Sequence, residues 1–266
     1  MLVVCNGMLR SGSTLQYNFV RMLLELKSSA VDARHAEPAT IDDDLLASWC
    51  ASKAMTVIKM HSIDPRVVAL LMDNKATICY VYRDLRHVAA SIRRKWNPPW
   101  PEILASLDGA VASFDELTNM PGVLVQRYES LITNEVEAVQ QIAEHLGLDV
   151  TPEEFDEIVA MCSPAAFREL ATDFTARQKF FHSINAAGRR LPLPVRLALR
   201  RAGVISVGRK LGISQFVYDQ RTLLHPDHIT SDPSMADDKF RDLSDTEITE
   251  LNTRYAAFLK HGNYAM

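Results

Sequence analysis

The residues with the clearest chemical potential lie between Gly7 and Thr14, in the segment GMLRSGST. Its spacing is that of a P-loop, GxxxxGK[ST], except that Ser13 occupies the lysine position. Glycines at both ends let successive backbone N–H groups point at one anion, which then lies at a helix N-terminus. The segment predicts a phosphate-binding loop, although alone it also fits a strand-to-helix turn without a ligand. The absent lysine disfavours an ordinary ATPase or GTPase.

Two further groups of polar residues follow apolar runs that look like strands. Lys59 and His61 end the second run, and Arg83 ends the third, with Ser91 about two helical turns later. In a parallel α/β sheet, ligands bind outside the carboxyl ends of the strands. We therefore expect all three groups at one edge, where two anion sites suit a nucleotide phosphorylated at two positions. His61 as a structural histidine and Arg83 in an ion pair with Asp84 are the alternatives.

The elements that position these residues follow from the hydrophobic pattern. Four short apolar runs predict strands buried on both faces, as in a parallel sheet: Leu2–Asn6, Thr56–Met60, Ala76–Tyr82 and Val123–Gln126. Apolar residues at helical spacing predict helices over 15–26, 88–96 and 136–146, the last ending at Gly147. This alternation predicts an α/β fold with a parallel sheet flanked by helices.

The remainder of the chain has a different pattern. From about Thr151 it predicts helices and loops, closing with an amphipathic helix from Ser244 to Lys260 that starts with a Ser244–Glu247 capping box. We expect a single domain in which residues 1–150 form a nucleotide-binding core and 151–266 a mostly helical cap and C-terminal lid. Within the cap, residues 174–218 contain nine basic and no acidic residues. A solvated basic face is slightly favoured there over a surface for an anionic acceptor or peripheral membrane contact.

Composition excludes several classes of protein. With 266 residues, of which 47% are hydrophobic and 23% charged, the chain predicts a globular protein rather than a disordered one. A net charge of −4 disfavours a protein that coats nucleic acid. The four separated cysteines predict reduced thiols and no zinc knuckle. The absence of a long apolar run predicts no membrane span, and a strand starting near residue 1 predicts no export signal and a cytoplasmic protein.

Several of these motifs, taken in order, resemble those of the PAPS-dependent sulfotransferases, which transfer a sulfuryl group from 3′-phosphoadenosine 5′-phosphosulfate. LRSGSTL at 9–15 is similar to the family's 5′-phosphosulfate loop, with Leu9 in place of its proline. YRDLRHVAAS at 82–91 is similar to the 3′-phosphate motif, with the Arg-to-Ser spacing kept. KMH at 59–61 resembles the K-x-H of animal cytosolic members, in which the histidine is the general base.

Two later segments extend the resemblance along the chain. RYESL at 127–131 is similar to a segment whose tyrosine lies against the adenine. Residues 224–231 together with 239–244 resemble the C-terminal segment of bacterial members. The resemblance implies a P-loop-like sulfotransferase core with a helical C-terminal cap.

The resemblance also implies a role for each site residue. The implied contacts to the nucleotide come from Arg10, Ser11, Gly12, Ser13, Thr14, Leu15, Arg83, Ser91, Tyr128, His228, Lys239 and Arg241. His61 would remove a proton from the acceptor hydroxyl, while Lys59 and Arg10 would neutralise charge on the oxygen that PAP retains as it leaves.

The function implied is transfer of the sulfuryl group of PAPS to a hydroxyl of a small-molecule, glycan or lipid acceptor, without a metal or a nucleic-acid partner. An ATP-dependent kinase is one alternative, which the missing P-loop lysine disfavours. A catalytically inactive nucleotide-binding module is the other, which the retained Lys59–His61 pair disfavours. The oligomeric state and the identity of the acceptor do not follow from the sequence.

Overall fold

The structure is a computed structural model that describes residues 1–172, 221–224 and 240–265. Within them, five parallel strands form one sheet with the order β2-β3-β1-β4-β5. The strands are β1 (Leu2–Gly7), β2 (Val31–His35), β3 (Met55–Met60), β4 (Ala76–Tyr82) and β5 (Val123–Arg127).

Helices cover both faces of this sheet. In the core they are α1 (Ser13–Lys27), α2 (Asp43–Ala51), α3 (Pro65–Met72), α4 (Leu85–Trp96), α5 (Trp100–Thr118), α6 (Tyr128–Thr133) and α7 (Glu135–His145). After the core come α8 (Pro152–Met161), α9 (Pro164–Thr172), α10 (Asp245–Arg254) and α11 (Ala256–His261). None of the helices in the described ranges is long and apolar enough to cross a membrane.

The central strand explains why the sheet could be recognised from its apolar runs. Leu2 and Val4 of β1 point into a core shared with α2–α5, α10 and α11, whereas Val3 and Cys5 point into a second core with α1, α7 and α8. Because both faces are covered, successive residues of the strand are all buried. The predicted α/β class, with a parallel sheet between helices, is confirmed.

Several elements differ from the prediction. The pattern did not predict the helices α2, α3, α5 and α6 or the strand β2. β2 reads VDARH, and its Asp32 and Arg34 are half-exposed at the sheet edge, so the strand lacks the apolar run by which the others were found. The predicted final helix is divided at Tyr255, whose hydroxyl bonds the carboxylate of Asp108 on α5 at 2.8 Å. The Ser244–Glu247 capping box is present at the start of α10. The division into core and cap stays a prediction.

The topology places a crevice at the carboxyl ends of β1 and β4. The chain leaves β1 towards β2 on one side and leaves β4 towards β5 on the other, so the strand order reverses between them. Ligands of open α/β sheets bind at such a reversal. Gly7 lies beside Val81 and Asn6 beside Met60, so the loops after β1, β3 and β4 start at the same edge.

Candidate functional site

The loop after β1 is fixed by bonds to itself and to β4. The Ser11 hydroxyl lies 2.7 Å from the carbonyl oxygen of Met8 and 3.1 Å from that of Val81. The Met8 amide donates to the same Val81 carbonyl. A Cβ on Gly7 would lie 2.6 Å from the Val81 side chain, so only glycine fits there. These contacts hold the curled backbone against the sheet.

The curl ends at the N-terminus of α1, where Gly12 has a φ of 81°. The Leu15 amide donates to the Gly12 carbonyl, and the Ser11 amide donates to Met8, so both amides are used within the loop. The nucleotide contacts that the resemblance implies for Ser11 and Leu15 would therefore not involve their backbone amides. An anion would instead meet the first-turn amides of Ser13 and Thr14, at the positive end of the helix dipole.

Four side chains from separate elements form one cluster beside this loop. Arg10 donates through Nε to the hydroxyl oxygen of Ser91 on α4, at 2.8 Å. Arg83, which follows β4, donates to the Arg10 carbonyl at 3.2 Å, and its guanidinium carbon lies 4.0 Å from the ring centre of Tyr128. The Tyr128 ring covers Gly12 so closely that a Cβ there would lie 2.5 Å from it. The structure thus brings the predicted loop, arginine, serine and tyrosine together.

Arg83 is suited to an anionic ligand. Its Nε is buried and has no hydrogen-bond partner among the described residues. Leaving a buried donor without a partner costs about 1–3 kcal/mol, which an incoming anion would recover. The alternative pairing with Asp84 does not occupy it, because that carboxylate bonds Arg86 at 2.7 Å and caps α4 through the Arg86 amide.

Lys59 and His61 contact each other at the neighbouring strand end. The Lys59 Nζ lies 3.1 Å from Nε2 of His61, and Nδ1 of His61 lies 3.0 Å from the Gly7 carbonyl oxygen. Because a carbonyl only accepts, Nδ1 carries the proton and the Nε2 lone pair faces Lys59. Burial, then the Lys59 charge, lower the pKa of His61 to about 3, and burial lowers the pKa of Lys59 to about 8. His61 is therefore neutral at neutral pH.

Two residues that no sequence motif singles out border His61, namely His35 and Glu37. The amides of His61 and Ser62 donate to Oε1 and Oε2 of Glu37, at 3.2 and 3.4 Å. His35 Nε2 lies 3.2 Å from Oε1 of the same carboxylate. Burial opposes ionisation of Glu37, but the His35 hydrogen bond and the nearby imidazoles outweigh it, so its pKa is lowered. His35 is the last residue of β2, and Glu37 follows two residues later. Recognising that strand would have placed both residues beside β3.

The donor atoms of His35, Glu37 and His61 lie within 4.8 Å of one another, as a transition-metal site requires. However, Nε2 of His61 already faces the Lys59 ammonium, and Arg10 adds positive charge that acts on the same lysine. A divalent cation would have to displace that ammonium. The surroundings of His61 therefore suit an anion better than a metal ion.

The remaining predicted contacts come from the C-terminal part. His228, Lys239 and the basic stretch 174–218 lie outside the described residues. Arg241 is described, directly after Phe240, whose ring lies 5.0 Å from the Arg86 guanidinium carbon. The chain thus returns to the N-terminal end of α4, the helix that carries Ser91.

Comparison with known proteins adds a family match. Residues 106–188 match the family model described as the sulfotransferase domain. This region starts within α5, includes β5, Tyr128 and all of α7–α9, and does not include the loop after β1. No curated protein matches the chain.

Solved structures share the fold at low sequence identity. A retinol dehydratase in complex with androsterone and the inactive cofactor PAP is 12% identical, covers 97% of this chain and 80% of its own, and has a TM-score of 0.55. A retinol dehydratase with retinol and PAP is 12% identical, covers 97% and 81%, and has a TM-score of 0.56. A mouse sulfotransferase complexed with PAP is 20% identical over 65% and 68% of the chains, with a TM-score of 0.48. The family match confirms the resemblance to sulfotransferases, and the two longer alignments confirm the fold.

Proposed function

We propose that this chain, of which residues 106–188 match the sulfotransferase domain model, is a PAPS-dependent sulfotransferase that sulfates a hydroxyl of a small acceptor. The observation that carries this proposal is the cluster of Arg10, Arg83, Ser91 and Tyr128 around the phosphate loop. It contains cationic groups from two segments, Arg10 from the loop before α1 and Arg83 from the position just before α4. A nucleotide with phosphates at both its 5′ and 3′ positions needs cationic groups for each of them.

Different residues of the chain would bind different parts of the nucleotide. The first turn of α1, with Ser13 and Thr14, would bind the 5′-phosphate, because its amides and dipole attract negative charge. Arg83 and Ser91 would bind the 3′-phosphate, with the unpartnered Nε of Arg83 supplying one donor. Tyr128 would contact the adenine. When bound, PAPS supplies an activated sulfuryl group.

His61 would act as the general base. The acceptor oxygen forms its bond to sulfur while the bond from sulfur to the phosphate oxygen breaks, and the acceptor proton passes to Nε2 of His61. The hydrogen bond from Nδ1 to Gly7 keeps Nε2 unprotonated and oriented. Base catalysis of this kind contributes about 10²–10⁴-fold.

Lys59 would have two partners in turn. Without the nucleotide, the Lys59 ammonium donates a hydrogen bond to Nε2 of His61, and its positive charge lowers the pKa of that imidazole. The negative charge of the sulfuryl donor would draw Lys59 away, which would free Nε2 and raise the pKa of His61 above the value of about 3 that burial and the Lys59 charge together give it. Lys59 and Arg10 would then neutralise charge on the departing oxygen. This exchange makes nucleotide binding a precondition for deprotonating the acceptor.

The chemistry of the acceptor is proposed by analogy with the solved structures. Androsterone and retinol, present in the retinol dehydratase complexes, are small apolar alcohols. Acceptors of that class are therefore the first to screen, followed by phenols, glycans and lipids.

Calorimetric titration with PAP, and separately with ATP and Mg²⁺, tests the proposal. We expect metal-independent PAP binding that is weakened at least about tenfold in Arg83→Ala, since a charge-assisted hydrogen bond contributes about 1.5–3 kcal/mol. Arg254→Ala is the control, because its guanidinium pairs with Asp108 on the surface. A preference for Mg-ATP, or equal affinity for nucleotides with and without the 3′-phosphate, would overturn the proposal and favour a kinase. Tight PAP binding with no PAPS turnover for any acceptor would indicate the inactive module.

A further inference from the structure

Past the end of β2, the hydrogen bonding to the β3 chain is continued by a side chain instead of by backbone carbonyls. The last register pair of the two strands is His35 with Lys59, and the Ala36 amide still donates to the Lys59 carbonyl at 3.0 Å. Beyond this point, the acceptors for β3 are the two carboxylate oxygens of Glu37, which receive the amides of His61 and Ser62. Glu37 thus replaces backbone carbonyls at the position where the chain presents His61.

The backbone of Glu37 and its carboxylate are each held in place by a neighbour. The Glu37 amide donates to the Thr40 hydroxyl oxygen at 3.1 Å, and that hydroxyl donates back to the Glu37 carbonyl at 2.8 Å. This closes the short 3₁₀ turn Pro38–Thr40. On the other side, His35 lies within ion-pair distance of Oε1. A carboxylate that extends from a fixed backbone and contacts an imidazole can orient the backbone amides that it accepts.

The orientation of the His61 ring depends on that backbone. Its Nδ1 must reach the Gly7 carbonyl at 3.0 Å while its Nε2 faces Lys59. These two contacts define the tautomer and the direction of the lone pair. A shift of the 61–62 backbone would move both. A misplacement of about 1 Å in a reacting group costs up to about 10²-fold in rate.

We propose that Glu37 is a positioning residue, which holds the 61–62 backbone so that Nε2 of His61 points at the acceptor hydroxyl. This inference rests on the proposed function, because it assigns His61 the role of base. Glu37 acts through the two amides and takes no proton in the reaction. It is separate from the proposed nucleotide contacts, which come from the loop after β1, from Arg83 after β4, from Ser91 on α4 and from Tyr128 after β5.

The test uses the full chain with Glu37→Gln, which keeps the size of the side chain but places an NH₂ group against one amide donor. With p-nitrophenol as probe acceptor, we expect kcat to fall about 10- to 100-fold. The KM for PAPS and the affinity for PAP should change less than threefold. In the PAP complex, NMR should show faster exchange of the His61 and Ser62 amide hydrogens and a changed His61 ring signal.

Glu154→Gln is the matched control. Glu154 also accepts a backbone amide, that of Thr151, and pairs with a cation, Lys27, but it lies at the start of α8. It should leave kcat and the His61 signals unchanged. Glu37→Asp serves as a second variant, because its shorter side chain keeps the charge without reaching both amides, and it should lose kcat as Glu37→Gln does.

Three outcomes would overturn the inference. An unchanged kcat in both Glu37 variants would show that Glu37 does not position His61. If the acid limb of the kcat–pH profile disappears in Glu37→Gln while His61→Asn stays active, Glu37 is the base instead. If PAP affinity and thermal stability fall in parallel with kcat, its role is general folding. Failure of the proposed function is seen separately, as absence of PAP binding in the unaltered chain.

Discussion

His61 owes its chemistry to three neighbours that come from three places at one edge of the sheet: the end of β1, the end of β3 and the loop after β2. Gly7 sets its tautomer, Lys59 suppresses its basicity, and Glu37 holds its backbone. The sequence could predict the first two of these residues because they belong to recognisable spacings. It could not predict Glu37, since a glutamate after a polar edge strand has no distinguishing pattern until β2 is placed beside β3.

The contact with Lys59 can be tested by titrating His61. Lys59→Met should raise the pKa of His61 from about 3, because a positive charge beside Nε2 is removed, although burial still keeps it low. NMR titration of the imidazole signals measures this shift. Lys27→Met, which alters only an ion pair with Glu154, should leave it unchanged. An unchanged His61 pKa in Lys59→Met would contradict the proposed exchange of partners.

Gly12 and Gly147 form a matched pair for testing the loop. Both have a positive φ, 81° and 65°, so alanine is strained by about 1–2 kcal/mol at either position. A Cβ on Gly12 meets the Tyr128 ring at 2.5 Å, whereas a Cβ on Gly147 meets nothing within 4 Å. Gly12→Ala should therefore displace Tyr128 and weaken PAP binding at least about tenfold, as loss of one base–aromatic stack does. Gly147→Ala should lower the stability but leave the affinity for PAP unchanged. Equal PAP affinity in the two variants would contradict the proposed contact between Tyr128 and the nucleotide.

Among the elements, α4 links the site to the C-terminal helices. Its N-terminal end contains the buried Asp84–Arg86 pair, and Arg86 also donates to Asn252 on α10 at 3.0 Å. Further along α4, Arg93 pairs with Glu247 at 2.5 Å. Ser91 lies between these two attachments, so its position depends on how α10 docks. The sequence predicted α4 and its serine, but long-range pairs such as these leave no local pattern.

Breaking the pair at the start of α4 should be costly. Arg86→Ala leaves the Asp84 carboxylate buried without its partner, which typically costs about 3–5 kcal/mol. Both side chains are at most 7% exposed. Lys75→Ala is the control, because the Lys75–Asp73 pair is about 60% exposed and should contribute less than about 1 kcal/mol. Urea unfolding measures both, and equal losses in the two variants would refute the expectation.

For the molecule as a whole, buried histidines should make stability sensitive to acid. Burial lowers the pKa of His61 to about 3 and lowers the pKa of His145 on α7. An unfolded chain binds these protons near pH 6.5, and the folded chain does not, so stability falls as the pH drops below about 6.5. His61 alone should cost about 2 kcal/mol by pH 5.

Urea unfolding between pH 7 and pH 5 tests this expectation. The decline in unfolding free energy should be shallower in His61→Asn, whatever the stability of that variant at pH 7. Identical slopes in the two proteins would contradict it. Asp64 and Asp108 should add a further loss near pH 4, because hydrogen bonds from Arg66 and Arg254 lower the pKa of these carboxyls.

The position of β1 in the middle of the sheet also has a consequence for biosynthesis. Its two partners, β3 and β4, lie at residues 55–60 and 76–82, so neither exists when β1 is made. At a translation rate of about 5–20 residues per second, this apolar strand waits roughly 4–15 s for its second neighbour. Until β3 is made the strand exposes two hydrophobic faces and two unpaired edges, and one edge stays unpaired until β4 follows. The strand that carries the phosphate loop is therefore the segment we expect a nascent-chain chaperone to protect.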